Sequence, residues 1–222
     1  MTFSILARDE SGAFGSAIAS SSPAVAARCV TLVDSVGGAN SQNITDPRLG
    51  PKILRQIESG LPSSEAIARI VADDTTSEYR QLLAIDDLGR TGVHSGDRSL
   101  GVYASAHGPS VVAAGNMLRS AVVPQAMVDA YLAAEGDLEL RLLAALRGAL
   151  ATGGEEGPIH SAGLSVVRGA GWRVTDLRID WHDEPVEALS ELLDVWLPQR
   201  DDYVTRALAP HTAPSYGVPG NE

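Results

Sequence analysis

From Thr2 to Arg8 the chain alternates, with Phe3, Ile5 and Ala7 on one side and Thr2, Ser4 and Leu6 on the other, which is the period of a strand. Asp9-Glu10-Ser11-Gly12 supplies turn chemistry, and residues 13–19 are predicted to return as a second strand. Gly15 inside that strand predicts a bulge or a close backbone approach. A third strand is expected over about 29–34 and a fourth over 36–45. The fourth carries Gly37-Gly38 and then Asn40, Ser41, Gln42 and Asn43, so it is either an exposed edge or the floor of a site.

The period then changes to that of helices. Pro51 stands at the first turn of one whose stripe is Ile53, Leu54 and Ile57, with Gly60 closing it. Ser63 or Ser64 caps the next, with Ala66, Ile67, Ile70 and Val71 at helical spacing. Residues 80–86 and 90–95 predict a hairpin across Asp87-Leu88-Gly89, and 110–114 a further extended stretch before Gly115-Asn116. Helices are expected over 122–134 and 138–151, strands over 162–167 and 173–180, and a last helix over 185–197. Strand clusters alternate with helix pairs, unlike the strand-by-strand alternation of a doubly wound sheet. The economical arrangement is an α+β, four-layer αββα sandwich of two antiparallel sheets. Residues 1–208 read as one domain without linker or repeat, and the Pro/Gly-rich residues 209–222 as a peripheral or disordered tail.

At 222 residues, 44% hydrophobic and 20% charged, the chain can bury a sizeable core, but with only 5% aromatics Ala, Val, Leu and Ile must fill it. A formal charge of −11 argues against a nucleic-acid or anionic-lipid surface. Cys29 is the only cysteine, which excludes an intrachain disulfide and a thiolate metal cluster, and ahead of an apolar run it reads as a buried, inert thiol. His94, His107, His160, His182 and His211 lack metal-ligand spacing, and the glycine pairs lack the Lys-Ser/Thr ending of a phosphate loop. No cofactor or metal is therefore predicted. Without a membrane-length apolar run or a basic-then-apolar leader, a cytoplasmic location is expected. The Ala-rich helix over 138–151 predicts helix-to-helix packing between copies, most simply a homodimer.

Chemistry enters at the second residue. Thr2 is small enough for methionine aminopeptidase to remove Met1, leaving a hydroxyl and a free α-amine on one residue. An α-amine titrates near pH 8, so its neutral fraction can serve as base for its own hydroxyl. Donors for a developing oxyanion are sought in the Gly38 backbone and in Asn40, Gln42 and Asn116, although Asn116 also suits a left-handed turn or cap and Gln42 an edge. Ser20 and Ser21, with Ser22, end the second strand as a polar loop or as site residues. Asp34 either orients the amine or ends the third strand. Arg178 and Asp180 share a strand face, suiting either a carboxylate substrate or a structural ion pair.

The N-terminal hairpin and layered order resemble the N-terminal-nucleophile (Ntn) hydrolases. The segments Thr2-Phe3-Ser4-Ile5, 37–47, Gly50-Pro51, Gly115-Asn116-Met117-Leu118, Ser161-Ala162 and 176–180 are similar to the bacterial domain-of-unknown-function family numbered 1028. The resemblance spans Thr2 to about Tyr203 and implies the Ntn fold. The sequence departs from the family pattern at Ala113-Ala114, where Gln is frequent, and at Pro158-Ile159-His160, where Arg-Gly-Gln is more usual. It also has no room for the peptidoglycan-binding extension of some members. The resulting expectation is an N-terminal-threonine amidohydrolase for a small, polar, non-peptide amide. The alternative is a catalytically silent member that binds a small ligand or serves as an oligomeric scaffold.

Overall fold

A six-stranded antiparallel sheet and a four-stranded one lie face to face, each with helices on its outer side. This is the α+β, αββα architecture expected from the element order. The computed structural model describes residues 1–218. The elements are β1 (Thr2–Arg8), β2 (Phe14–Ser20), α1 (Val25–Cys29), β3 (Val30–Val33), β4 (Gly37–Asn43), α2 (Leu49–Glu58) and α3 (Ser63–Asp73). They continue with β5 (Arg80–Asp86), β6 (Thr91–Ser95), β7 (Ala104–Gly108), β8 (Val111–Asn116), α4 (Val123–Ala133) and α5 (Leu138–Ala151). The chain closes with β9 (Ser161–Val167), β10 (Arg173–Ile179), α6 (Pro185–Trp196) and α7 (Arg200–Leu208). The sheet orders are β10-β9-β2-β1-β8-β7 and β3-β4-β5-β6.

Alternation along β1 divides the interior. Phe3, Ile5 and Ala7 face outward onto Met127, Tyr131, Leu142 and Leu146 of α4 and α5. Leu6 instead faces the second sheet, where Phe14, Ile18 and Val112 meet Leu32, Leu83 and Ile85. On the far side Ala39, Leu82 and Ala84 pack on Ile53, Leu54 and Ile67 of α2 and α3. Each of the Val, Leu, Ile, Phe and Met side chains among these, fully buried, contributes about 1.5–3 kcal/mol. The predicted close approach at Gly15 is present: a Cβ there would lie 2.5 Å from Leu142 Cδ1. With Ala17 and Ala19 on the same face, β2 offers α5 a nearly bare backbone to pack on.

Three elements were not expected: the five-residue α1, the edge strand β7, and α7. The polar strand β4 is neither an edge nor open to solvent. It lies between β3 and β5 with Asn40, Ser41 and Gln42 buried. Leu138, Leu142, Leu143 and Leu146 of α5 are buried in the core cluster shared with the sheet and α4, while Leu140 and Leu150 are exposed. Of the expected tail, Pro210–Thr212 forms a helical turn and the Tyr216 ring lies under the Arg206 guanidinium at 4.0 Å, while residues 219–222 lie outside the described residues. Among the described residues, no helix is long and apolar enough to cross a membrane.

Candidate active site

One end of the six-stranded sheet gathers the start of β1, the end of β2, the end of β8 and the start of β9. The ladder pairs Thr2 with Asn116 and Ser20 with Ser161. Thr2 is 5% exposed at the tip of an interior strand, its Oγ1 3.3 Å from Ser20 Oγ. Both hydroxyls donate to the carbonyl oxygen of Met1, that of Thr2 at 2.5 Å. Ser20 Oγ is itself 2.8 Å from Ser22 Oγ and accepts the Ser22 backbone N–H at 3.1 Å.

Behind Thr2 a seam of buried amides joins the two sheets. Ser4 Oγ donates to Gln42 Oε1 at 2.7 Å, and Asn40 Nδ2 donates to Ser4 and Ser16 hydroxyls, each at 3.1 Å. The orientation of the larger amides is fixed by backbone carbonyls, which can only accept. Gln42 Nε2 reaches Ala114 O at 3.2 Å and Gln81 Nε2 reaches Gly115 O at 3.0 Å. Gln81 Oε1 must then receive Gln42 Nε2 at 2.8 Å and Asn116 Nδ2 at 3.1 Å. Asn116 is left with its buried Oδ1 facing no hydrogen-bond partner, in the residue paired with Thr2. The amide protons of Asn40 and Gln42 are thus engaged within the seam. Gly38 lies deeper, in contact with Leu6 and Leu32 in the apolar layer.

The loop after α5 adds a residue that the sequence did not point to. Glu155, bridged to Leu118, is 4% exposed, and neither carboxylate oxygen has a hydrogen bond of ordinary length. Burial pushes its carboxyl up to about 7, against the downward pull of the chain's N-terminal ammonium and of the Ser21 hydroxyl and backbone N–H. Glu155 lines a cleft of about 280 Å³ together with Leu150, Gly157, Ile159 and Asp183. The Met1 side chain lies over Gly157, where a Cβ would be 3.2 Å from its Cε. A Gly-Gly-Glu-Glu-Gly run reads as a solvated turn, so only the fold reveals this carboxylate.

Other candidates lie elsewhere. Arg178 and Asp180 sit at the β10 edge, three strands from β1, and form a half-exposed ion pair at 3.3 Å. Asp34 accepts the Gly169 and Gly171 N–H groups at 2.9 and 2.8 Å, and lines with Arg8 a cleft at the opposite end of β1. Cys29 is buried, which pushes its thiol up, and its Sγ lies 3.5 Å from Thr45 Oγ1. Among the described residues, no three His, Cys, Asp or Glu side chains are placed to hold a metal ion.

The family described as "Family of unknown function (DUF1028)" matches residues 2–189. The crystal structure of protein SPO2555 from Silicibacter pomeroyi, assigned to the same family, is 33% identical with a TM-score of 0.82, covering 87% of this chain and 88% of that one. Anbu (ancestral beta-subunit) from Yersinia bercovieri aligns over 88% of this chain and 97% of its own, at 12% identity and a TM-score of 0.42. No curated protein matches the chain.

Proposed function

This chain belongs to the DUF1028 family, a membership that brings a fold but no reaction, and from its site we propose that it is an amidohydrolase whose nucleophile is Thr2 after loss of Met1. The observation that carries the reading is the placement of Thr2: a hydroxyl fixed at the buried tip of an interior strand, 3.3 Å from a second hydroxyl, with a carbonyl oxygen already between them. In the processed protein Thr2 Oγ attacks the amide carbon of a small substrate and its proton passes to the Thr2 amine. The amine returns that proton to the leaving nitrogen as the C–N bond breaks, leaving an ester on Oγ. Water then attacks the ester with the same amine as base, releasing the acid and restoring the hydroxyl, so the net change is amide plus water to acid plus amine. The Ser20 hydroxyl, freed from Met1, is the donor best placed for the oxyanion, and removing such a donor costs roughly 2.7–4 kcal/mol. Asn116 Oδ1 is the acceptor left for the amine.

The experiment is a screen of small amides against protein whose mass lacks Met1. Thr2→Ala should abolish turnover without unfolding the chain, and Thr2→Ser should retain part of it. The rate should rise with pH through the amine pKa. Retained Met1 in the intact mass would lock the amine in a peptide bond. The second reading, a silent ligand-binding or scaffold protein, would then take its place, because the Met1 carbonyl already occupies both hydroxyls.

A further inference from the structure

Met1 is itself an aminoacyl group in amide linkage, and two parts of it are held separately. Its carbonyl oxygen accepts the Thr2 and Ser20 hydroxyls. Its side chain lies over Gly157, one of the residues lining the cleft. The Glu155 carboxyl, buried at this cleft, feels the charge of the Met1 ammonium. We propose that the processed site accepts aminoacyl amides, with the substrate's α-ammonium on Glu155 and its side chain over Gly157 in the space Met1 leaves. This rests on the hydrolase reading and names its substrate class.

The chemistry around the cleft favours a cation. Asp183, Glu184 and Glu187 line it with Glu155, and only Glu187 has a guanidinium partner, Arg147 at 2.7 Å. His160 stands 3.9 Å from Asp183 and stacks on Trp181, with ring centroids 4.3 Å apart. A substrate carboxylate would meet this rim as a like charge. A buried carboxylate without an opposite charge beside it is costly, and an incoming ammonium supplies that charge. Asn116 Oδ1, across the ladder from Thr2, serves the amine of the nucleophile and leaves Glu155 to the substrate.

The test uses protein verified to begin at Thr2, with methionine p-nitroanilide and its N-acetyl derivative. The free-amine compound should be turned over with a kcat/KM about ten- to a hundredfold above the N-acetyl one, the range for a charged hydrogen bond. Glu155→Gln should erase that difference by lowering the free-amine rate toward that of the N-acetyl compound. Gly157→Ala should slow methionine p-nitroanilide more than it slows glycine p-nitroanilide. Thr2-dependent turnover with no preference for the free amine would overturn the substrate class and leave the hydrolase reading standing. An equal fall for both compounds in Glu155→Gln would make Glu155 a positioning residue for Thr2, and would also overturn it. If neither compound is turned over, calorimetry of methioninamide with processed Thr2→Ala decides. Binding lost on N-acetylation and in Glu155→Gln upholds the ammonium seat, and absence of binding overturns it.

Discussion

Gln81→Leu offers a direct measure of the amide seam. Gln81 makes four hydrogen bonds: it accepts from Gln42 and Asn116, and donates to Ser95 Oγ and Gly115 O. Of the groups released, the half-buried Ser95 hydroxyl can turn to water. The Gly115 carbonyl remains within the β-ladder region. One N–H of Gln42 and the Asn116 amide have no such outlet, since both residues are fully buried. At about 1–3 kcal/mol per orphaned buried group the substitution should cost about 2–6 kcal/mol. A domain stable by about 5–15 kcal/mol would lose much of its margin, and Tm should fall on the order of 4–20 °C. Urea denaturation of Gln42→Leu, Gln81→Leu and the double variant provides the assay. The double variant should cost less than the sum of the singles by roughly 1–2 kcal/mol, because the second leucine removes the donor that the first orphans. Strict additivity, or a Gln81→Leu cost below about 0.5 kcal/mol, would refute the argument that these amides are mutually satisfied.

Asp86 is fully buried, accepts the Ser63 N–H at the start of α3 and the Leu88 and Arg90 N–H groups of the β5–β6 turn, and pairs with the Arg90 guanidinium at 2.9 Å. The half-exposed Arg90 can turn to water, so Asp86→Ala should cost about 1–3 kcal/mol by urea denaturation through the N–H groups it orphans, and a loss under about 0.5 kcal/mol would count against this bracing role. Gly15→Ala forces Leu142 and Leu138 aside and should lower stability by about 1–3 kcal/mol, read as a Tm shift, whereas Gly169→Ala meets nothing and should show only the strain of its φ of +74°. In the Met1-bearing chain Glu155 has its carboxyl raised to about 7 from 4.5, so it favours folding below pH 4.5 and that contribution is lost as pH rises toward 7. Glu155→Gln should therefore flatten the fall in stability between those values and be more stable than the parent at pH 8. A parallel displacement of the two pH–stability curves would disprove this.

The layers were legible because β1 and the helix pairs repeat cleanly: Phe3, Ile5 and Ala7 fall on one face, and Ile53, Leu54 and Ile57 on one stripe. The strand β7 escaped because it is an edge with only Ala106 buried, and α7 because only Arg200 of its nine residues is buried. Neither carries an apolar period to read. The polarity of β4 was visible but its meaning was not, since Gln42 is satisfied by Gln81 and Ala114, 39 and 72 residues away. Of the site, Thr2, Ser20 and Asn116 could be singled out as polar residues at strand ends. Their convergence, and the arrival of Glu155, depend on antiparallel register between strands far apart in sequence.

The interior position of β1 makes any trimming of this chain a matter of timing. The strand β1 is flanked by β2 and by β8, so the cross-strand partner of Thr2, Asn116, is translated only after more than half of the 222 residues. At about 5–20 residues per second that interval is roughly 6–23 s. Within it Met1 is a free end that an aminopeptidase can grip. Once the sandwich closes, the same residue is held by two hydroxyls and seated over Gly157. The fraction of molecules carrying a free Thr2 amine would thus be decided by a race on the ribosome, and the folded population would preserve its outcome as a fixed mixture of two masses.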